Sequence, residues 1–531
     1  MKNNTKILDC TLRDGGYMNN WEFSTEITKE IIKSLIKSRV EIIECGFVSQ
    51  VKGKDKDSTQ FKNLRQVNDL LKSLKVDLSD TNFCVMINKG DFDLNTLPSY
   101  NPKNDIVTGI RLAFHKKDWR ESLNDISLLI SKGYHVYIQA MVTLSYTDIE
   151  ILEMISELNK LDIYAMYIVD SFGAMFGDDF MRLHYLFENN LKDNICLGYH
   201  SHNNLQLAYS NAINFIQIKE TNRKIIIDSS IHGMGRGAGN LTTELLADYL
   251  NKKKSTNYNI IPLLETIDKY LEVIYRENYW GYSIAHFLSA SFGCHPNYST
   301  FLVNTKSLSI VDMQKILSLL DNGERKNFAK PRIEELYINY KSKKRLSINF
   351  NSNFFEKQKI LIIAPGPNSE NQKEKVNKLI KSISPIIIAV NHIPQKYTPN
   401  YYFFSNQKRF DKFKSKINTN NIIVTTNIQV DTVIDSFKVV DYHDLVVMTS
   451  NKNDNATILL LNLLINQGIK EVNVAGMDGY NIEGGNYNYN ESDRVVEKKI
   501  LIHNNEKVET SLKEIQKKIS LNFITDSIFN K

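Results

Sequence analysis

Cysteine is scarce: five in 531 residues, Cys10, Cys45, Cys84, Cys196 and Cys294, with no C-x-x-C pair among them. That excludes a disulfide framework as the organising principle and makes a reducing cytoplasm the expected setting. No apolar run approaches the roughly 20 residues of a membrane span, and the opening MKNNTKILDCTLRDGG has no apolar signal-peptide stretch. A one-sided charge is also missing. The 66 Lys and Arg exceed the 60 Asp and Glu by six, and the excess is dispersed. Neither a basic arm for nucleic acid nor a membrane-surface helix fits that pattern. What is present is globular composition, 42% apolar and 24% charged, in a chain long enough for about two to four domains with cores of their own.

Through the first half, short apolar segments alternate with amphipathic helices. KILDCT, VEIIECGF, NFCVMI, IVTGIRLAF, HVYIQAMV, YAMYIVDS, ICLGYH and KIIIDSSIHG read as eight strands. Their ends, near Asp9, Glu44, Met86, Leu112, Ala140, Val169, Tyr199 and Ile231, fall 26 to 42 residues apart. A (β/α)8 barrel of about 250 residues needs about 31 per unit. Between the strands, Ile27, Ile31, Ile32, Leu35 and Ile36 make one helical stripe, and Phe61, Leu64, Val67, Leu70, Leu71 and Leu74 make another. After about residue 250 the strand rhythm gives way to helical patterns. A second α/β region opens at KILIIAPGPNS, followed by SPIIIAVN, NYYFFS, NNIIVTT, DLVVMTS and KEVNVAGMDG as strands and NATILLLNLLINQG as a helix. The expected architecture is α/β throughout. A (β/α)8 TIM barrel at 1–275 is followed by a small helical appendix at 276–340 that closes the barrel mouth. A polar, basic linker at 341–358 then leads to a Rossmann-like doubly wound α/β domain at 359–531.

In such a barrel, functional groups gather at the carboxyl ends of the strands. Arg13 and Asp14 follow the first strand, Glu44 lies on the second, Arg111 and His115 flank the end of the fourth, and Gln139 lies on the fifth. Asp170 ends the sixth, His200 and His202 the seventh, and His232 the eighth. Isolated buried ion pairs could account for one or two of these, but each would then need its own partner. In the segment Gly-Tyr-His200-Ser-His202-Asn-Asn the two imidazoles, at i and i+2, face one side of a strand. Two imidazoles and a carboxylate with open positions suit a catalytic divalent ion, and Asp14 is the natural third ligand. The alternative is a pair of histidines capping the next helix. A Lys Schiff base would need an inner strand-end lysine, for which Lys89 is the only candidate.

The ordered motifs LDCTLRDGGY, IIECGF, VDSFG, HSHNNLQLA and IHGMGRGAGN resemble those of the DRE-TIM metallolyases over about residues 5–300. That superfamily includes hydroxymethylglutaryl-CoA lyase, isopropylmalate and homocitrate synthases and 4-hydroxy-2-oxovalerate aldolase, and HSHNNLQLA is most similar to the aldolase branch. The resemblance implies a barrel that holds a divalent metal and acts on a 2-oxo acid through an enolate. Mn²⁺ leads the expected ions, with Mg²⁺, Co²⁺ or Zn²⁺ as alternatives. It implies Asp14, His200 and His202 as metal ligands, Asn240 as a further ligand, Arg13 facing the enolate oxygen and Glu44 organising the site. One position departs from the pattern: where oxovalerate aldolases place a histidine base, this chain has Tyr17. A phenol near pKa 10 is a poor base at neutral pH, so Tyr17 is an acid or substrate binder, or His115 or metal-bound water takes the proton.

Arg111, Gln139, Asp170 and Tyr298 are the expected substrate contacts. Tyr282, His295 and Tyr298 either close the barrel mouth or form the aromatic core of the helical appendix. In the second domain, the Pro365-Gly366-Pro367-Asn368 turn lies where doubly wound sheets bind ligands, although prolines remove amide donors that a phosphate cradle needs. Its pattern resembles surface-polysaccharide proteins distantly similar to bacterial sialyltransferases. That implies a nucleotide sugar near Gly366, Asn391 and Asp478; Asp478 capping a loop is the alternative. The expected protein is a cytoplasmic, homo-oligomeric, metal-dependent aldolase of a 2-oxo acid such as pyruvate and an aldehyde, with a place in surface-polysaccharide sugar metabolism. A Claisen-type acyl-CoA condensing synthase, or a non-catalytic barrel serving the second domain, are the rivals.

Overall fold

The computed structural model describes residues 4–218, 222–305, 307–343, 345–351, 353–430, 436–481, 485–487 and 498–530. They form two compact units, 1–299 with 325–327, and 300–324 with 328–531. The helical appendix expected at 276–340 is thus divided between the units. In the stretch 341–358, of which Lys344 and Ser352 lie outside the described residues, Arg345 and Asn349 donate backbone N–H groups to Thr426 and Val439 of the second unit.

The first unit is a closed parallel barrel. Strand β1 (Thr5–Asp9) is followed by β2 (Ile42–Val48), the two-residue β3 (Gln60–Phe61) and β4 (Asn82–Asn88). Next come β5 (Val107–Phe114), β6 (His135–Ala140), β7 (Ala165–Asp170), β8 (Cys196–Ser201) and β9 (Ile225–Ser229). The order β1-β9-β8-β7-β6-β5-β4-β2 closes where Leu8 and Asp9 of β1 pair with Ile42 and Ile43 of β2. The eight long strands are the eight expected segments, while β3 is an edge addition to β2 that takes Phe61 out of the expected helical stripe, the helix starting only at Leu64 behind the Asn63 cap. Helices pack outside as the stripes require. Thr25–Lys37 starts at Ser24, whose side chain accepts from Ile27 N–H, and buries Ile31, Ile32 and Leu35. The barrel's inside is a separate cluster of Leu8, Cys10, Cys84, Tyr137, Tyr167 and Ile226. Gly198 makes room for it, since a Cβ there would lie 2.4 Å from the Tyr167 ring. All five cysteines are buried.

The second unit contains a seven-stranded parallel sheet: β10 (Ile360–Ile363), β11 (Ile386–Val390), β12 (Tyr401–Phe404), β13 (Ile422–Thr425), β14 (Lys438–Val440), β15 (Glu471–Ala475) and β16 (Ser520–Phe523). The order β14-β13-β12-β11-β10-β15-β16 reverses direction between β10 and β15, the topology of a doubly wound sheet with its switch point there. DLVVMTS, expected as a strand, is not one. Asp441 accepts from His443 N–H and starts the short helix Tyr442–Val446, so a capping carboxylate overrides the β-branched residues. The fifth strand is instead the three residues of β14. Among the described residues, no helix is long and apolar enough to cross a membrane.

Candidate metal centre

The Thr11-Leu12-Arg13-Asp14-Gly15-Gly16 turn leaves β1 and folds back, the amides of Arg13 and Asp14 both donating to Cys10 O. Its glycines are steric requirements: a Cβ on Gly15 would meet Thr11 O at 2.3 Å, and one on Gly16 the Trp21 indole at 2.0 Å. The indole N–H in turn donates to Arg13 O at 2.7 Å. Arg13 and Asp14 are thereby held over the barrel axis, both almost fully buried.

A chain of buried charge runs from this turn across the barrel. Arg13 donates Nη1 to Asp14 Oδ1 at 3.0 Å and Nε to Glu44 Oε2 at 2.8 Å. The same Glu44 oxygen accepts from Arg111 Nη1 at 2.7 Å, and Arg111 Nη2 donates to Asp228 Oδ2. Asp228 Oδ2 also accepts from His200 Nδ1 at 3.0 Å. His202 donates Nδ1 to Arg236 O at 3.1 Å. Each imidazole therefore has its Nδ1 tied down and its Nε2 turned to Asp14 Oδ2, at 3.9 Å for His200 and 3.5 Å for His202. This is how metal-binding histidines are usually oriented. One ligand atom from each of Asp14, His200 and His202 lies within 4.8 Å of the others.

The electrostatics suit a cation. Two guanidiniums face three carboxylates, leaving one unit of negative charge; each carboxylate keeps one oxygen without a hydrogen-bond partner among the described residues, and Asp14 Oδ2 is the one that faces both imidazoles. That oxygen is buried with no hydrogen-bond partner among the described residues, a state costing roughly 1–3 kcal/mol or more for a charged group. Burial favours a protonated Asp14, but Arg13 and the two histidines hold its carboxyl well below the ordinary range. Burial pushes His202 down to about 3, Asp14 opposing and Arg236 reinforcing the shift, so the imidazole stays neutral and its lone pair is available. Asn240 is brought beside His202 by a short antiparallel bridge. Its Nδ2 donates to Met234 O, and its buried Oδ1 has no partner among the described residues. Gly239, at φ +84°, lets the chain reach this bridge. The residues present fit a divalent ion held by Asp14, His200 and His202, with Asn240 Oδ1 adjacent.

Around this centre the remaining residues divide. Arg13 keeps one donor, Nη2, buried without a partner among the described residues. Tyr17 is 36% exposed, its ring against Trp21 and Phe47 and beneath the Arg236 guanidinium at 5.2 Å. His115 is half-buried, and its own burial holds it below its usual pKa. Gln139 is buried with Nε2 unpartnered among the described residues. Arg111, expected at the substrate, is instead wholly enclosed beneath the site by Glu44, Asp228 and the Tyr167 ring. Asp170 accepts the backbone N–H groups of Ala174 and Met175, and burial raises it to about 6, so its oxygens serve the loop after β7. Tyr298 is fully buried with its hydroxyl donated to Asn327 O at 2.7 Å, the aromatic-core role rather than a substrate contact. His232 packs on Tyr275 and Trp280, and Lys89 is paired with Asp125 at 2.7 Å.

Two residues absent from the expectations complete the centre. Asp228 sits in the apolar run Ile225–Ser229, where a lone carboxylate inside a barrel strand was its signal. Arg236, in the Gly-Met-Gly-Arg-Gly segment, links Tyr17, His202 and His295. In the second unit, Gly366 and Asp478 meet at the switch point: a Cβ on Gly366 would lie 2.6 Å from the Asp478 carboxyl carbon. Asp478 accepts from Asn368 N–H at 2.7 Å, and burial raises its pKa to about 6.

Comparison with known proteins places the barrel. The HMGL-like family model matches residues 4–268. A 4-hydroxy-2-oxovalerate aldolase of Geobacillus genomosp. 3 is 25% identical over 330 residues, 61% of this chain and 93% of that one. Another, of Pelotomaculum thermopropionicum, is 27% identical over 260 residues, 46% of this chain and 70% of that one. The N-terminal domain of a putative aldolase from Bacteroides vulgatus is 26% identical, covers 56% of this chain and 96% of its own, and superposes with a TM-score of 0.48.

Proposed function

The barrel at residues 4–268 belongs to the HMGL-like family, and from that premise we propose that it is a divalent-metal-dependent aldolase, making or cleaving the C–C bond next to a 2-oxo acid. The substrates are a 2-oxo acid such as pyruvate and an aldehyde, and Mn²⁺ is the preferred ion. The observation that carries this reading is the pair of uncommitted atoms on neighbouring residues, Asp14 Oδ2 and Arg13 Nη2. One calls for a cation and the other for an anion, within a single buried ion pair.

Cleavage beside a 2-oxo group leaves an enolate, so the barrier is largely developing negative charge. A divalent ion held by Asp14, His200 and His202 would supply Lewis acidity for the carboxylate and oxo oxygens. Arg13 donates Nη2 to the oxygen that becomes anionic. Glu44 fixes the guanidinium by accepting from Nε, so the donor needs no reorganisation as charge appears. Arg111 neutralises Glu44 from below and, with Asp228, sets the His200 tautomer. Tyr17, at the exposed mouth, gives its proton to the aldehyde oxygen in condensation; in cleavage the tyrosinate takes the 4-hydroxyl proton and passes it to the enolate carbon, which frees the 2-oxo acid, with His115 as the second titratable group at the strand ends. Burial of the centre excludes water, which strengthens each of these contacts.

The test is a substrate screen with Arg13→Ala alongside. Metal-loaded protein should release pyruvate from 4-hydroxy-2-oxo acids. Arg13→Ala should lower kcat on the order of 10²–10³-fold, as for loss of one oxyanion donor, with a smaller effect on KM. Thiol release from acetyl-CoA plus a 2-oxo acid, without any pyruvate-forming activity, would replace this reading by a condensing synthase. A rise in KM alone for Arg13→Ala would remove the enolate role.

A further inference from the structure

The second unit holds a cavity of about 640 Å³ that the barrel chemistry does not use, within the ~300–1,000 Å³ range of ligand pockets. Its floor is the carboxyl edge of the sheet: Pro365 after β10, Val390 and Asn391 at the end of β11, and Ser405 and Asn406 after β12. Its walls come from the helices Lys330–Lys341 and Lys498–Ile515 and from the Ser450–Thr457 segment. The carboxyl edge is where open parallel sheets bind ligands.

The lining has a definite chemistry. Among the described residues, five cationic side chains (Lys330, Lys341, Arg409, Lys452, Lys507) face three acidic ones (Glu334, Glu335, Asp454). Asp454 is neutralised within the wall: Lys341 Nζ lies 3.1 Å from its Oδ2, and the Tyr337 hydroxyl donates to the same oxygen. The field left in the space is cationic, with Lys452 and Lys507 contributing. Asparagine amides in the lining suit hydroxyl groups: those of Asn304 and Asn504, and the Nδ2 of Asn391, whose Oδ1 accepts from Ser405 N–H. Tyr480 and Tyr487 add flat aromatic surface. Asn391 holds a left-handed φ of +58° at the end of β11, an uncommon backbone state for a side-chain-bearing residue that clusters at ligand sites. The Gly366–Asp478 switch point itself borders a cleft of only about 70 Å³, too small for a nucleotide, and its Pro365 and Pro367 offer no amide donors.

We propose that this cavity binds a nucleoside diphosphate or a close derivative, its phosphates at Lys452 and Lys507 and its hydroxyls at the asparagine amides. A sugar monophosphate would share the phosphate contact but fill a small part of the volume and leave the tyrosine faces unused.

Calorimetric titration of the full-length chain tests it, with uridine and adenosine diphosphates, glucose 1-phosphate and inorganic phosphate as probes. A nucleoside diphosphate should bind saturably and at least about 10-fold more tightly than inorganic phosphate or the sugar phosphate. Lys507→Met, which keeps the aliphatic stem, should weaken it about 10-fold or more. Asn391→Gly should weaken it several-fold while relieving the backbone strain, and so carries the test if Lys507→Met does not fold. An unchanged circular dichroism spectrum and unchanged urea unfolding midpoints report the integrity of each variant independently of the aldolase reading. No saturable binding of any nucleotide up to millimolar concentration would overturn the proposal. So would equal affinity for inorganic phosphate, or affinity unaltered in both folded variants.

Discussion

Replacing Asp228 by Asn isolates the device that aims His200. Asp228 Oδ2 receives both Arg111 Nη2 and His200 Nδ1, and its charge is retained despite full burial because Arg111, with His200, outweighs the desolvation that opposes it. Asparagine preserves volume and one acceptor but removes the charge. His200 then faces a neutral acceptor in place of the carboxylate that fixes its tautomer and raises its basicity, a change in a metal ligand's partner that typically lowers metal affinity by about 10–100-fold, or roughly 1.4–2.8 kcal/mol. Arg111 keeps Glu44, at 2.7 Å, so the variant should still fold, with stability reduced by about 1–3 kcal/mol for the weakened buried contact. Asp228→Ala, which strips one partner from a buried guanidinium, should be worse, at about 3–5 kcal/mol. Equilibrium dialysis against Mn²⁺ measures the first effect and urea midpoints the second. A folded Asp228→Asn protein with unchanged Mn²⁺ affinity would refute the role given to His200 as a ligand oriented from behind.

Two further outcomes follow from the same geometry. Tyr17→Phe preserves the ring contacts with Trp21, Phe47 and Arg236, so a fall in kcat of about 10²–10⁴-fold with a displaced alkaline limb in the pH–rate profile is expected for loss of an acid–base hydroxyl; a change under about threefold would transfer that role to His115. Asp170 has a folded pKa raised to about 6 from 3.8, mainly by burial. The native state therefore holds its proton more tightly than the unfolded chain, and stability falls as pH rises from about 4 to 6. Relative to Asp170→Asn, wild type should lose on the order of 3 kcal/mol across that window in urea titrations, and parallel profiles for the two proteins would contradict the assignment.

The barrel was legible because its signals are local and repeated. Eight apolar segments at near-constant spacing, seven of them with a polar residue at or just past the end, reappear as the long strands of the first unit, and the i, i+2 spacing of His200 and His202 does put both rings beside Asp14. Burial of those residues was not legible. Arg111 and Asp170 stand at strand ends just as Arg13 does, yet one is enclosed beneath the centre and the other caps a loop. Strand position specifies a face of the barrel, but the partners that consume a side chain arrive from across it, Arg111 meeting Glu44 67 residues and Asp228 117 residues away in sequence. The second unit was harder for a related reason. Its cavity gathers short contributions from strand ends, a helix near residue 335 and another near residue 505, and none of these carries a motif by itself.

The cost of the charge network bears on why the barrel holds chemistry and not merely packing. Placing Arg13, Glu44, Arg111 and Asp228 out of water incurs several kcal/mol of desolvation per ion, which mutual pairing only roughly offsets. Well-packed apolar side chains would fill the same volume with equal or better stability, as Leu8, Ile42 and Ile226 do lower in the barrel. The network also stops short of closure. It satisfies Glu44 Oε2 and Asp228 Oδ2 twice over while leaving Arg13 Nη2, Asp14 Oδ2 and Asn240 Oδ1 unpartnered among the described residues, together with Glu44 Oε1, Asp228 Oδ1 and Arg111 Nε deeper in the barrel. A structural ion-pair cluster would place its shortfall at the solvent edge, where water repairs it. Here the shortfall is buried, and three of its atoms belong to neighbours at the metal centre: Arg13 and Asp14 share an ion pair, and Asn240 is bridged to His202, which faces Asp14. Their demands are opposite in sign, a cation for the two oxygens and an anion for the guanidinium. A 2-oxo acid bound with a divalent ion would supply both, which is the demand that the proposed aldolase chemistry meets.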